Sequence, residues 1–131
     1  FVKMSKAGLR ILVVEDEAVF RHSLVSYLEQ DGACVFQAED GIEGLSAAAL
    51  YHPDVVLCDL NMPNMDGLTL LQTIRATPNL KHLPVLMITA EAKRENIIEA
   101  ATAGAHGYIV KPFTAATLEE KLAKIFQNLA K

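Results

Sequence analysis

The sequence predicts an α/β domain in which helices cover both faces of a five-stranded parallel sheet, a doubly wound (βα)5 arrangement. Three observations point to it. Short β-branched apolar runs recur along the chain, segments of helical period separate them, and no repeat or low-complexity tract breaks the alternation. With 131 residues, 51% of them apolar, the chain suffices for one domain with a buried core.

Taken in order, residues 1–7 read as a lead-in to a domain spanning 8–131, with Phe1-Val2-Lys3 ahead of Met4 read as an added remnant. The first strand is Ile11-Leu12-Val13-Val14, and Phe20, Leu24, Val25 and Leu28 share one face of the helix after it. Cys34-Val35-Phe36-Gln37-Ala38 is a weaker strand candidate, after which Asp40 reads as the N-cap of a second helix beginning at Gly41. Val55-Val56-Leu57-Cys58 is the third strand, and Asp66 before Gly67-Leu68 reads as the next N-cap. Val85-Leu86-Met87-Ile88 and Tyr108-Ile109-Val110 complete the sheet. Leu118, Leu122, Ile125, Phe126 and Leu129 stripe the last helix. Gly32 and Gly104 fit helix ends. Runs this short and this apolar suit strands buried on both sides.

Charge and composition narrow the function. Twelve Lys and Arg against 16 Asp and Glu leave a net charge of −4 with no basic stripe, which argues against direct nucleic-acid binding. No apolar run approaches the roughly 20 residues of a membrane span, so the expectation is no membrane insertion and a cytoplasmic protein. Cys34 and Cys58 are expected to be two buried free thiols, and the four histidines, which show no ligand spacing, ordinary surface residues.

Ligands of open α/β sheets bind beyond the carboxyl ends of the strands. Glu15 and Asp16 follow the first run, Asp59 the third, Thr89 the fourth and Lys111 the fifth, so three carboxylates, a hydroxyl and an ammonium converge on one sheet edge. One acid after one strand is ordinarily a helix cap; the joint pattern carries the chemistry. Crowded carboxylates repel, and Mg²⁺, which takes oxygen ligands, relieves them. A metal, a lysine, a hydroxyl and a carboxylate nucleophile are what phosphoryl transfer onto Asp59 requires.

Glu15-Asp16-Glu17, the stretch from Asp59 to Gly67, Ile88-Thr89-Ala90 and Lys111-Pro112-Phe113 together resemble the two-component response regulator receiver family over 8–131. The resemblance implies a flavodoxin-like fold with strand order 2-1-3-4-5, an order that comes from the family and not from periodicity. It implies Asp59 as phosphoacceptor, Mg²⁺ held by Asp16, Asp59 and the backbone carbonyl of Asn61, and Glu15 acting through water. Thr89 and Lys111 would bind the phosphoryl group, Lys111–Pro112 would be cis, and Tyr108 would be a switch residue on a partner face built from the fourth helix, fifth strand and last helix. Asn61 and Glu91, two positions after Asp59 and Thr89, would flank the water that removes the phosphate.

The implied role is a signalling domain and not an enzyme, one that assists its own phosphorylation and dephosphorylation. A sensor histidine kinase would be the donor and a second protein the target. From Asn61 onward the chain resembles the chemotaxis branch, which implies a flagellar motor switch as target. The first half, Glu15 to Arg21, is more like receivers of multidomain regulators. A natural mosaic, an engineered hybrid and a receiver excised from a regulator with transcriptional or adaptor output therefore stay open. Two other classes fit less well. A Mg²⁺-dependent aspartyl phosphohydrolase would carry a second Asp where Asn61 stands, and a flavin or nucleotide carrier would carry a glycine-rich loop in place of Glu15-Asp16-Glu17.

Overall fold

Strand and helix follow from where the apolar side chains point. The computed structural model describes residues 6–90 and 93–129. Among them run β1 (Arg10–Val14), α1 (Ala18–Gln30), β2 (Cys34–Ala38), α2 (Gly41–Tyr51), β3 (Val55–Asp59), α3 (Gly67–Ala76), β4 (Val85–Thr89), α4 (Arg94–Thr102), β5 (Gly107–Val110) and α5 (Ala115–Leu129). The strands form one parallel sheet in the order β2-β1-β3-β4-β5. Strand side chains alternate between two faces. Ile11, Val13, Val55, Leu57, Leu86 and Ile88 meet Leu24, Val25 and Leu28 of α1 and Leu118, Leu122 and Ile125 of α5. Leu12, Val14, Val56, Cys58, Val85 and Met87 meet Ala47 and Ala48 of α2, Leu70, Leu71 and Ile74 of α3, and Ala100 of α4. Hence β3 and β4 are buried along their whole length, and β1 from its second residue on.

The outer strands differ. In β2 only Ala38 is fully buried, and Cys34 at its start is exposed. The expected pair of buried thiols is therefore corrected to one: Cys58 is enclosed, whereas Cys34 opens an outermost strand that is covered less.

Local chemistry ends the helices. Asp40 Oδ1 accepts from Glu43 N–H at 2.9 Å and Asp66 Oδ1 from Thr69 N–H at 2.8 Å, each satisfying a donor with no partner inside its helix. Gly32 (φ 93°) and Gly104 (φ 100°) take the left-handed conformation just beyond α1 and α4.

Two polar anchors tie distant segments. Lys6, inside the stretch read as a lead-in, is fully buried, and its ammonium pairs with Glu119 of α5 and, at 3.0 Å, with Asp31. The Tyr27 hydroxyl donates to the same Glu119 oxygen at 2.7 Å. At the opposite corner Arg75 donates to the carbonyls of Gly104 (2.7 Å) and Leu83 (2.7 Å), and its Nη2 lies 3.2 Å from His106 Nδ1.

All four histidines are exposed, but His106 is not idle. Its Nδ1 also accepts from Val85 N–H at 3.3 Å. A guanidinium only donates, so Nδ1 must be the unprotonated nitrogen. Although the residue as a whole is exposed, its ring is partly desolvated against Arg75 and β4, and that desolvation, then the Arg75 charge, holds the imidazole below its ordinary value of 6.5. Below that value the unfolded chain takes up the proton before the folded one does, so stability falls as pH drops. Unfolding followed between about pH 7 and pH 5 should show this decline, and His106→Leu should flatten it. A slope identical in the two proteins would remove His106 as its source.

Candidate functional site

The chain leaves β1 toward β2 and leaves β3 toward β4, so a crevice opens between the carboxyl ends of β1 and β3. Glu15 stands just past β1. It is fully buried, its N–H donates to Ala38 O at 3.0 Å, and its Oε2 accepts from Glu17 N–H at 3.1 Å. Asp16 is at the exposed mouth. Asp59 ends β3 with 6% of its surface exposed, and its Oδ1 accepts from Asn61 N–H at 3.2 Å. One oxygen from each of Glu15, Asp16 and Asp59 falls within 4.8 Å of the others.

Lys111 enters from beyond β5. Its N–H donates to Thr89 O at 2.8 Å, and its ammonium lies 2.5 Å from Glu15 Oε1 and 3.3 Å from Asp59 Oδ2. Desolvation works to lower the Lys111 pKa, but the hydrogen bonds and charges of Glu15 and Asp59 outweigh it and hold the group above its ordinary value. The ammonium also lies 4.4 Å from the centroid of the Phe20 ring, which meets Phe113 edge-on at 5.6 Å. Thr89, buried at the end of β4, sits one residue beyond Ile88, the register partner of Asp59.

The strand-end reasoning therefore brings Glu15, Asp16, Asp59 and Lys111 together, with Thr89 on the adjoining strand. Asn61 is exposed, with its N–H on Asp59. The Lys111–Pro112 peptide is cis. Tyr108 is half-buried on β5 with the Lys121 ammonium 4.9 Å from its ring centroid. Glu91 lies outside the described residues.

The loop after Asp59 is held from below. Asn64, at φ 67°, donates from Nδ2 to Asp40 Oδ2 at 2.7 Å, and Gly41 N–H donates to Met65 O at 3.1 Å. The Glu43 amide and then Asn64 hold the Asp40 carboxyl below the usual range. Gly67 lets α3 begin against the end of β3, because a Cβ there would stand 2.2 Å from Asp59 O. Sequence reasoning missed Phe20 over Lys111 and Arg21 beneath Glu15. Arg21 was legible in principle, since 21, 24, 25 and 28 make one helical face and a charge on it is a signal.

The donor set suits a hard divalent cation. Two unit charges 4.8 Å apart repel by about 3.5 kcal/mol at an effective dielectric of ~20. Three carboxylates against one ammonium leave two negative charges, and every acidic donor is an oxygen.

The family model described as "Response regulator receiver domain" matches residues 11–123. Chemotaxis protein CheY-3 of Vibrio cholerae is 55% identical over 123 residues, covering 93% of this chain and 95% of that protein. Chemotaxis protein CheY of Pseudomonas aeruginosa is 47% identical over 122 residues, 92% of this chain and 98% of that one. Among solved structures, the chemotaxis response regulator CheY4 of Vibrio cholerae matches with a TM-score of 0.85 at 34% identity, over 91% of this chain and 99% of that chain. A CheX–CheY–BeF3–Mg complex from Borrelia burgdorferi matches at 0.85 and 28% identity, over 92% of this chain and 90% of that chain.

Desolvation first, and the neighbouring Glu15 next, hold the Asp16 carboxyl above its ordinary 3.8. The fold therefore disfavours its charged form, and without metal that penalty is present once pH rises through the Asp16 range. Asp16→Asn should raise, not lower, the metal-free thermal midpoint at pH 7, while weakening Mg²⁺ binding. A lowered midpoint would show that repulsion does not govern the pocket.

Proposed function

The chain belongs to the response regulator receiver family, as a CheY-like domain of two-component signalling with chemotaxis regulators among its homologues, and on that premise we propose that Asp59 is its phosphoacceptor. The observation that carries the proposal is the set of three carboxylates within 4.8 Å, two of them bridged by one lysine. An Asp59 oxygen attacks the phosphorus of a phosphohistidine on a sensor histidine kinase. A P–O bond forms as the P–N bond breaks, and the leaving imidazole keeps the electron pair and takes a proton from solvent.

Asp16, Asp59 and the Asn61 carbonyl would hold Mg²⁺, and Glu15 would act through water. When bound, Mg²⁺ neutralises the carboxylates and the transferring oxygens. Lys111 exchanges Asp59 Oδ2 for a phosphoryl oxygen, and the Thr89 hydroxyl donates to another. Asn61, whose N–H is on Asp59, would stand beside the water that later removes the phosphate, so the domain would assist its own dephosphorylation. As Thr89 moves toward the phosphate, Tyr108 turns inward, and α4, β5 and α5 change shape as one docking face. The likeness to chemotaxis proteins supports a flagellar motor switch protein as the target; the Borrelia relative bound to CheX with BeF3 and Mg supports a receiver engaged by a protein in its phosphorylated form.

Incubation with acetyl phosphate and Mg²⁺ should add about 80 Da, the mass of one phosphoryl group, and chelation or Asp59→Asn should abolish the gain. A gain that survives in Asp59→Asn overturns the assignment. A peptide from a motor switch protein, titrated with and without beryllofluoride and Mg²⁺, should bind on the order of tenfold tighter to the loaded form. Equal affinity in the two states would break the link between phosphate and docking face.

A further inference from the structure

Arg21 is a charged side chain for which the phosphoryl chemistry has no use. It shares the buried face of α1 with Leu24, Val25 and Leu28 and is 6% exposed. A guanidinium does not deprotonate, and stripping it of water is unfavourable unless its donors meet fixed acceptors. Nη1 donates to the Glu15 carbonyl at 2.7 Å, Nε donates to Gln37 Oε1 at 3.3 Å, and Nη2 lies 3.4 Å from Glu39 Oε1, on a side chain 67% exposed. The shortest of these bonds is to the backbone between the two acids.

That peptide is the hinge of the acidic turn. The Glu15 N–H is held by Ala38 of β2 and its carbonyl by Arg21. A peptide unit is planar, so fixing the Glu15 carbonyl also fixes the direction in which Asp16 departs. Asp16 is the exposed member of the cluster, with less packing than Glu15 or Asp59 to aim it. We propose that Arg21 is a positioning residue that aims the Asp16 carboxylate at the Mg²⁺ site by clamping the Glu15 carbonyl. The inference rests on reading the cluster as a Mg²⁺ site and deepens it. The partners that orient metal ligands commonly set affinity by ten- to a hundredfold.

The test is a calorimetric Mg²⁺ titration of the whole chain and of Arg21→Met and Arg21→Lys, with thermal unfolding beside it. Arg21→Met should weaken Mg²⁺ roughly tenfold at a temperature where it remains folded, and Arg21→Lys, which keeps a charged donor nitrogen, should lose less. A folded Arg21→Met with unchanged affinity would reduce Arg21 to a tie between α1 and β2 and overturn the proposal. Should Arg21→Met not fold, hydrogen exchange at the Arg21 Nε–H of the unaltered protein decides. Coupling is reciprocal, so saturating Mg²⁺ should slow that exchange severalfold, and an unchanged rate overturns the proposal. Failure of the underlying reading looks different: the unaltered chain would bind no Mg²⁺, and Arg21 would have no site to aim.

Discussion

Mutual repulsion among Glu15, Asp16 and Asp59 is the constraint on which the rest of the molecule depends. Three carboxylates within 4.8 Å do not stay together unless something rigid holds them and something positive answers them. Rigidity comes from β1 and β3, enclosed between two apolar layers, whose ends deliver Glu15 and Asp59 already desolvated. The answer comes in part from Lys111, which touches both buried acids but leaves the cluster negative. That residual charge suits the cluster to a divalent cation, where a balanced set would be a satisfied ion pair.

The surrounding structure divides into stiff and soft parts. Behind the site, Gly67 lets α3 start against Asp59, while Asp40 caps α2 and grips Asn64 of the intervening loop with its second oxygen. On the far side α4 buries one side chain among its described residues, Ala100, and so has little apolar anchorage. Elements held by few buried groups are the ones that shift at low cost. The softest of these elements therefore lies beside half-buried Tyr108 of β5, with which Ile97 and Ala100 of α4 line one cleft.

Much of this was legible in the sequence, for identifiable reasons. The inner strands announce themselves as unbroken apolar runs because both faces are covered. The apolar runs stop one residue short of the strand ends, since the ladder continues through Asp59 and Thr89 regardless of polarity. Glu15, Asp16, Asp59, Thr89 and Lys111 could be found because parallel α/β topology puts every strand's successor on one edge. Arg21 hides because the apolar stripe of α1 runs through Phe20, which is only half-buried and turns its ring toward Lys111. The Lys6–Glu119 pair links residues 113 positions apart and leaves no periodic trace. Cys34 looks interior in the sequence because an outer strand of apolar composition resembles an inner one until its neighbours are known.

The pairing register carries a further consequence. Asp59 lies opposite Ile88, Thr89 lies opposite Val110, and Lys111 comes next, so the functional positions climb by one residue per strand across β3, β4 and β5. They form a staircase, and each step has its own parity. Deleting one residue inside any of these strands would drop a step by about 3.3 Å and send its side chain to the opposite layer. The loops at the amino ends of the strands, far from the staircase, carry no such arithmetic. Over evolutionary time, length variation should therefore gather at one rim of this sheet, and the opposite rim should keep its count.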